Sequence, residues 1–318
     1  MLMEIKINFT DFWPGFIRED NYFYNLLSKE YTVVISDDPE LIFFSCYGEE
    51  YLKYDCIRIF YSAENMRPDL TGCDFAMTFD YMDDARHYRL PLYALYIEQK
   101  KKMHDLLTVK SEEQSLASWN SKTKFCCMVV SNGLAKKRID FFHALSKYKK
   151  VDSGGRYLNN VGGPVDDKMS FIRDYKFVIA FENSSSPGYT TEKILEPMLA
   201  GSIPVYWGNP LIGEDFNDKS FLNYDDLGSG EQLIESMLAM ESDSTKAVAM
   251  LSQPKFPNNE LPPCIREENV LAFLKKIIAG RKDVQPVART FRRVQHLINR
   301  KKNILYHHLQ VIRRKNFR

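Results

Sequence analysis

The sequence predicts an α/β protein divided into two domains, each built on a largely parallel sheet. Apolar runs rich in β-branched and aromatic residues recur along the chain, and segments with helical spacing separate them. Buried strands of parallel sheets have this near-continuous apolar character, and helices connect them. The chain has 318 residues, which is more than one compact core usually spans. Two Rossmann-like halves joined by a linker are therefore expected.

The N-terminal half is predicted to form one domain, residues 1–118. Helical spacing is present at residues 22–31 and again at residues 90–107. The polar segment 108–124 is rich in Ser, Glu and Lys and is predicted to be the linker. The predicted strands of this half are Glu4–Phe9, Thr32–Ser36, Leu41–Cys46, Ile57–Ser62 and Phe75–Phe79.

The C-terminal half is predicted to form a second domain, residues 119–285. Its glycine-containing segment 151–164 is predicted to be a loop. The G-x-G-x-x-G fingerprint of dinucleotide-binding proteins is missing, which weakens a dehydrogenase interpretation. The predicted strands are Phe125–Val130, Phe177–Phe181, Ile203–Trp207 and Phe221–Tyr224. The predicted helices are residues 137–148, 171–175, 231–240 and 267–279.

The composition is that of a soluble globular protein, with 44% hydrophobic and 27% charged residues. The chain has no apolar run long enough for a transmembrane helix, and its first residues lack the pattern of a secretory signal. Six cysteines without a C-x-x-C pair indicate reduced thiols in a cytosolic protein and make a zinc site improbable. The paired aspartates are typical of turns, and no metal cofactor is expected.

The most informative stretch of the chain runs from Lys176 to Pro210. A buried-type strand leads into a glycine-containing loop, which delivers Glu192 and Lys193 to the start of a predicted helix that ends near Gly201. A lysine at a helix N-terminus is a natural seat for a phosphate group, and the adjacent glutamate indicates that a group bearing hydroxyls is bound beside it. Pro197 lies inside this helix and should kink or delay it.

Three blocks of this stretch resemble, in order and spacing, the signature of the α-1,3-fucosyltransferase family. The blocks are Phe181–Ser184, Gly188–Lys193 and Ile203–Gly208. Further segments resemble other shared stretches of that family, namely Ile59–Asn65, Tyr88–Tyr93, and Val129–Asn132 followed by Arg138. The resemblance implies a GT-B fold, in which two Rossmann-like domains enclose the ligand at the carboxyl ends of their strands.

The resemblance also implies a donor site for GDP-fucose in the second domain. Arg138 and Lys193 would hold the diphosphate, Glu192 would accept hydrogen bonds from the ribose hydroxyls, and Asn183 and Tyr189 would lie near the fucose and phosphates. Residue by residue, simpler interpretations exist. Lys193 could be a solvated lysine in a first helical turn, and Arg138 could lie on a solvated helix face.

Glu64 is the candidate general base in the first domain. It follows the predicted strand Ile57–Ser62, at the end where active-site residues collect, although a simple loop carboxylate beside Arg67 would look the same. GDP-fucose is β-linked and the product is α-linked, so a single displacement requires one base opposite the leaving GDP. The resemblance implies that this glutamate removes the proton of the acceptor hydroxyl.

The function expected from the resemblance is inverting transfer of fucose to the GlcNAc of an N-acetyllactosamine-type acceptor. The product would be of the Lewis x type, and the setting would be the surface polysaccharide or lipopolysaccharide biosynthesis of a bacterium. Another GDP-sugar transferase on the same fold, or a non-catalytic membrane-associated nucleotide-binding protein, are the alternatives. The sequence leaves open whether the linkage formed is α-1,3 or α-1,4.

The C-terminal tail, residues 286–318, has ten Lys or Arg residues and no acidic residue. Its apolar residues have helical spacing, and a basic amphipathic helix of this kind is typical of the surface of anionic membranes. We therefore expect a peripheral protein at the inner face of the cytoplasmic membrane, with a helix packed on the body as the alternative. The lack of a recognition motif speaks against nucleic-acid binding. The apolar residues are Phe291, Val294, Ile298, Leu305, Leu309 and Ile312.

Overall fold

The computed structural model describes residues 2–302, and its contacts divide the chain into two compact units. The described part of the first unit comprises residues 2–78, 82–90 and 267–302. The second unit comprises Phe79–Tyr81 and Pro91–Arg266. Both units have α/β architecture, as predicted.

The strands of the two sheets follow the predicted apolar runs closely. In chain order they are β1 (Met3–Thr10), β2 (Tyr31–Ile35), β3 (Leu41–Phe44), β4 (Ile57–Tyr61), β5 (Phe75–Thr78), β6 (His87–Arg89), β7 (Lys124–Met128), β8 (Val151–Ser153), β9 (Tyr175–Phe181), β10 (Ile203–Trp207) and β11 (Leu222–Asn223). The first unit has the strand order β2-β1-β3-β4-β5-β6, and the second unit has the order β11-β10-β9-β7-β8. Neighbouring strands in both sheets run parallel.

Helices connect and cover these strands. In chain order they are α1 (Tyr22–Leu27), α2 (Leu92–Lys100), α3 (Met103–Leu107), α4 (Glu112–Asn120), α5 (Lys136–Ser146), α6 (Lys168–Ile172), α7 (Leu195–Leu199), α8 (Tyr224–Leu227), α9 (Gly230–Ser242), α10 (Thr245–Leu251) and α11 (Glu267–Gly280). Residues 291–302, called the C-terminal helix below, are also helical. Because both faces of a parallel sheet are covered by helices, β3 and β4 are buried at every residue. Strand β3 is a continuous apolar run, and β4 is apolar except for the buried Arg58.

The predicted linker, residues 108–124, is not a linker. Most of it forms α4, which begins with a capping box between Ser111 and Gln114. Trp119 on this helix is almost completely buried and packs edge-on against Phe177 of the second sheet, with ring centroids 5.5 Å apart. The polar residues of the segment are the solvent-facing side of an amphipathic helix, which composition alone does not distinguish from a linker.

The domain boundaries therefore differ from the predicted ranges 1–118, 119–285 and 286–318. The chain passes from the first unit to the second between Leu90 and Pro91, and it returns between Arg266 and Glu267. Helix α2 packs in the second unit, where Tyr93 contacts Phe216 with ring centroids 5.1 Å apart. Helix α11 packs in the first unit. Its Phe273 contacts two aromatic rings of that unit, Phe75 and Tyr88.

The C-terminal helix packs on the first unit through its polar face. His296 is buried and hydrogen bonds both with the Asp69 carboxylate, at 2.8 Å, and with the Tyr51 hydroxyl, at 2.6 Å. Arg300 also donates to Tyr51 and pairs with Glu49. Three apolar residues of this helix are largely exposed, whereas a fourth, Leu297, is half-buried. The exposed ones are Phe291, Val294 and Ile298, with exposed fractions of 79%, 46% and 48%.

The C-terminal helix thus packs on the body, as in the alternative to membrane association, and its basic residues Arg293, Lys301 and Lys302 are exposed. Leu305, Leu309 and Ile312, the other apolar residues of the predicted tail, lie outside the described residues. Within residues 2–302, the structure contains no helix that is both long and apolar enough to cross a membrane.

Candidate active site

The loop that follows β9 carries most of the predicted donor-binding residues. The backbone N–H of Glu182 donates to the carbonyl of Trp207 at 2.7 Å, which extends the β9–β10 ladder by one residue. The loop then turns back at Gly188, which has a φ of +82°. A side chain there would also meet the carbonyl oxygen of Phe79, because an added Cβ would lie 2.2 Å from it. Glycine is thus required at this turn for both reasons.

Helix α7 is shorter than predicted. It has five residues and begins at Leu195, so Lys193 lies in the turn just before the helix and not within its first turn. The helix ends as predicted near Gly201, which has a φ of +68°. Pro197 occupies the first turn of the helix, where its missing N–H breaks no helical hydrogen bond. Because so short a helix has little dipole, positive charge at the site comes mainly from side chains.

Lys193 is held by a buried carboxylate. Its ammonium donates to Glu182 Oε2 at 3.0 Å and to Thr191 Oγ1 at 2.9 Å, and only 19% of its side chain is exposed. Burial lowers the pKa of Lys193, but the charges of Glu182 and Glu192 outweigh this effect and raise the pKa above its ordinary value. Lys193 is therefore a fixed cation, and the solvated-lysine alternative is wrong.

Arg138 is the second fixed cation of this region. It lies on α5, is 1% exposed, and donates from Nε and Nη2 to the carbonyl oxygen of Phe181. Its Nη2 also donates to Asn183 Oδ1 at 2.8 Å. Burial lowers the pKa of Arg138, and Glu182 opposes this effect, so the guanidinium stays charged. Arg138 therefore does not lie on a solvated face of α5.

The other predicted donor-binding residues lie beside these cations. Glu192 Oε1 is 3.7 Å from the ammonium of Lys193. Burial raises the pKa of Glu192, and Lys193 and Lys168 more than offset this, so that the carboxylate is favoured. Tyr189 is 3% exposed and packs on Phe79, with ring centroids 5.1 Å apart. The structure thus brings Arg138, Asn183, Tyr189, Glu192 and Lys193 together in the second unit.

Three further residues of this region were not predicted from the sequence as site residues. Glu182 is completely buried, and Asn209 is 1% exposed. Asn209 Oδ1 accepts from the N–H of Gly188 at 2.7 Å, and its Nδ2 donates to Thr190 Oγ1 at 3.1 Å. Gly208 leaves space for Glu182, because an added Cβ would lie 2.5 Å from Glu182 Cγ. The available signal for Glu182 was an acidic residue directly after an entirely apolar strand.

Glu64, the predicted base, belongs to the first unit and follows β4. Its backbone N–H donates to Ser62 Oγ at 3.1 Å, and its Oε1 accepts from the hydroxyl of Tyr47 at 2.8 Å. Glu64 is exposed, and Tyr47 comes from the loop after the neighbouring strand β3. The carboxylate is therefore oriented by a neighbour and accessible to a ligand.

Aromatic residues after β1 form a small pocket at the same edge of the first sheet. Phe12 and Phe16 are stacked with ring centroids 4.1 Å apart, and Trp13 packs edge-on against both rings. The pocket has a volume of about 270 Å³ and is also lined by Asp11 and Arg18. Strands β1, β3 and β4 are neighbours in the sheet, so this pocket, Tyr47 and Glu64 share one edge.

Among residues 2–302 no group of three or more His, Cys, Asp or Glu side chains is arranged to hold a metal ion. The cations that the described site offers to an anionic ligand are the side chains of Arg138 and Lys193.

Two α/β units with parallel sheets and a pair of fixed cations beside β9 define a glycosyltransferase of the GT-B type. A crystal structure of an α1,3-fucosyltransferase with GDP-fucose has a TM-score of 0.73 and 25% sequence identity to this chain, and the match covers 87% of this chain and 91% of that one. Residues 7–96 match the family model of the alpha-(1,3)-fucosyltransferase FucT N-terminal domain, and residues 119–250 match that of the glycosyltransferase family 10 (fucosyltransferase) C-terminal region. The chain belongs to glycosyltransferase family 10, the fucosyltransferases.

Curated relatives agree with this assignment. The alpha-(1,3)-fucosyltransferase FucT of Helicobacter pylori is 30% identical over 320 aligned positions, covering 86% of this chain and 66% of the relative. A putative fucosyltransferase of Acanthamoeba polyphaga mimivirus is 31% identical over 172 positions, covering 50% of this chain and 28% of the relative. The chain thus spans about two thirds of the length of the first relative and under a third of the second.

Proposed function

We propose that this protein transfers L-fucose from GDP-fucose to the GlcNAc of an N-acetyllactosamine-type acceptor, with inversion. The observation that carries the proposal is a pair of fixed cations, the buried Arg138 and the partly exposed Lys193, beside Glu192 at the end of β9. Two cations suit a diphosphate, and a neighbouring carboxylate suits the hydroxyls of a ribose. The relative from Helicobacter pylori is an α-1,3-fucosyltransferase, and the crystal structure described above is of such an enzyme with GDP-fucose, which supports the same donor and linkage.

In the proposed mechanism Glu64 removes the proton of the acceptor hydroxyl as that oxygen attacks the anomeric carbon of fucose. The bond from this carbon to the diphosphate breaks in the same step, so the β-linked donor gives an α-linked product. Negative charge develops on the leaving GDP, and Arg138 and Lys193 stabilise it in surroundings from which water is largely excluded. Because Arg138 and Lys193 can stabilise the negative charge on the leaving GDP, the proposed reaction requires no metal ion.

The direct experiment is to measure GDP release from GDP-fucose by the purified protein, with and without N-acetyllactosamine, in the presence of EDTA. Acceptor-dependent release in EDTA supports the proposal, and NMR of the product then tests for the α-1,3 linkage of a Lewis x type product. The O4 of the GlcNAc in N-acetyllactosamine already carries galactose, so α-1,4 transfer is tested separately with Galβ1-3GlcNAc as the acceptor. Tight GDP binding without release on any acceptor would instead support a non-catalytic nucleotide-binding protein.

The pocket after β1 is proposed to contact the sugar rings of the acceptor. Half-buried aromatic faces beside carboxylates suit a sugar, which has both an apolar ring face and hydroxyls. Trp13 lies at a large angle to both rings of the stacked Phe12–Phe16 pair and is half-buried, so part of its surface is open to a ligand.

Replacement of Trp13 by alanine is expected to raise the KM for N-acetyllactosamine about two- to tenfold, since an aromatic contact contributes about 0.5–1.5 kcal/mol. The KM for GDP-fucose should be unchanged, because the donor residues lie in the other unit. Trp13→Phe serves as the control and should retain most of the affinity. Equal changes in both KM values would contradict the assignment of this pocket to the acceptor.

The C-terminal helix is proposed to lie on an anionic membrane, placing the enzyme at the cytoplasmic face in a pathway of surface polysaccharide synthesis. Three of its apolar residues are largely exposed while its polar residues hold it to the first unit. An exposed apolar stripe flanked by basic residues suits the headgroup region of such a membrane.

The double variant Phe291→Ser/Ile298→Ser is expected to bind phosphatidylglycerol vesicles about tenfold more weakly than the unmodified protein, because two apolar side chains no longer enter the membrane. Co-sedimentation with vesicles measures this. Leu134→Ser is the matched control, because Leu134 is 90% exposed but lies on the second unit. Unchanged binding by the double variant, or equal binding to phosphatidylcholine vesicles, would contradict membrane contact through this helix.

A further inference from the structure

Glu182 is a carboxylate that the proposed reaction does not use, and it is completely buried. Its Oε1 accepts from the backbone N–H of Thr191 at 2.8 Å. Both of its oxygens lie 2.9 Å from Thr191 Oγ1, and Oε2 accepts from the ammonium of Lys193 at 3.0 Å. One side chain thus connects the end of β9 to the turn that presents Lys193.

The position of Glu182 is itself fixed from several sides. Its N–H donates to the Trp207 carbonyl, and its neighbours Phe181 and Asn183 are both bound by Arg138. The backbone of Gly208 packs against the side chain of Glu182, and a larger residue at this position would displace the Glu182 carboxylate. Glu182 is consequently a rigid support, and both cations of the donor site are tied to the same three residues at the end of β9.

An unsupported lysine is a poor phosphate ligand in a buried site. Its four-carbon side chain loses rotamer freedom on binding, and desolvation favours the neutral amine. Glu182 offsets both effects, because it orients the ammonium and favours its charged form. Among the described contacts, Glu182 and Thr191 take two of the three N–H donors of the ammonium, which leaves the third for a ligand.

We propose that Glu182 is a positioning residue that holds the ammonium of Lys193 and the Thr191 turn in the orientation that receives the diphosphate. The inference rests on the proposed function, since the diphosphate is that of GDP-fucose. Glu182 acts through Lys193 and does not contact the substrate.

The test is Glu182→Gln, which keeps the shape of the side chain and removes its charge. The glutamine can still accept from Thr191, but it lacks the negative charge that pairs with Lys193. Both the affinity for GDP and kcat/KM for GDP-fucose are expected to fall about 10- to 100-fold, the usual effect of losing a charge-assisted hydrogen bond.

The pH dependence of GDP binding distinguishes positioning of Lys193 from a general structural role. Lys193 binds the diphosphate only when protonated, so binding is lost as the pH rises through its pKa. Removing Glu182 lowers that pKa, so the loss of binding should begin at a lower pH in the variant than in the unmodified protein. The charged or titratable groups that face Lys193, directly or through one neighbour, are Glu182, Tyr189, Glu192, Glu196 and Lys168.

Asp152→Asn is the matched control, because Asp152 is a buried acid of the same unit that accepts from Tyr175 and does not contact Lys193. It should not shift the alkaline loss of GDP binding. If Glu182→Gln does not fold, Glu182→Asp replaces it. This variant withdraws the carboxylate by one methylene and should weaken GDP binding without shifting the alkaline loss.

A double-variant cycle completes the test. In a Lys193→Met background, Glu182→Gln should weaken GDP binding no further and should restore part of it, because the cation that Glu182 positions is gone and the unpaired charge of Glu182 is removed with it. Additive losses, or GDP binding by Glu182→Gln within twofold of the unmodified protein at every pH, would overturn the inference. GDP binding is measured without an acceptor, so an error in the proposed acceptor or reaction leaves this test intact.

Discussion

Replacement of Glu64 by glutamine is expected to reduce fucose transfer about 10³-fold, the usual contribution of a general base, while GDP-fucose binding is unchanged. Glutamine keeps the oxygen that accepts from Tyr47 and the backbone contact with Ser62. The variant therefore loses proton acceptance without losing local structure. Initial-rate kinetics with N-acetyllactosamine and calorimetric titration with GDP-fucose measure the two quantities separately.

Glu30→Gln is the matched control for this experiment. Glu30 is an exposed carboxylate of the first unit that pairs with Lys275, and it precedes β2, away from the strand ends that carry Glu64. Its replacement should leave turnover unchanged. If Glu64→Gln kept near-normal turnover, Glu64 would be removed from the mechanism and another group at those strand ends would have to accept the proton.

The strands were predictable from the sequence because parallel strands buried on both faces are continuous apolar runs. Strand β10 has the predicted bounds Ile203–Trp207, and β1, β4 and β9 differ by a few residues at their ends. The short strands at the sheet edges were harder to predict from the sequence. Residues Val151–Ser153 were predicted to be a loop, and their pairing with β7 depends on residues far away in the chain.

The domain boundaries were not predictable, because amphipathic helices look alike wherever they pack. The apolar face of α11 fits either sheet, and only the contacts of Phe273 with Phe75 and Tyr88 assign it to the first unit. Likewise, nothing in residues 108–124 except Trp119 reveals that the segment is anchored in a core.

The candidate site was predictable as a set of residues but not as a network. The family resemblance implied Arg138 and Lys193 as ligands of the diphosphate. In the structure the two cations are held by adjacent residues, Arg138 by Phe181 and Lys193 by Glu182. The support itself, Glu182 between Phe181 and Asn183, was part of the recognised motif without an assigned role. Its burial and its hydrogen-bond partners, which depend on the folded chain, assign Glu182 a role.

The variant Lys193→Met is expected to lower kcat/KM for GDP-fucose about 10³-fold, with most of the loss in kcat, because negative charge on the diphosphate grows in the transition state. The loss should exceed that of one ion pair, since Glu182 would then be a buried charge without its partner and would repel the diphosphate. The control is Lys136→Met on α5, because Lys136 is exposed and pairs with Asp140. It should leave kcat/KM for GDP-fucose unchanged. A fall in GDP affinity with kcat unchanged would mean that Lys193 binds the ground state and transition state equally, and stabilisation of the leaving group would then fall to Arg138.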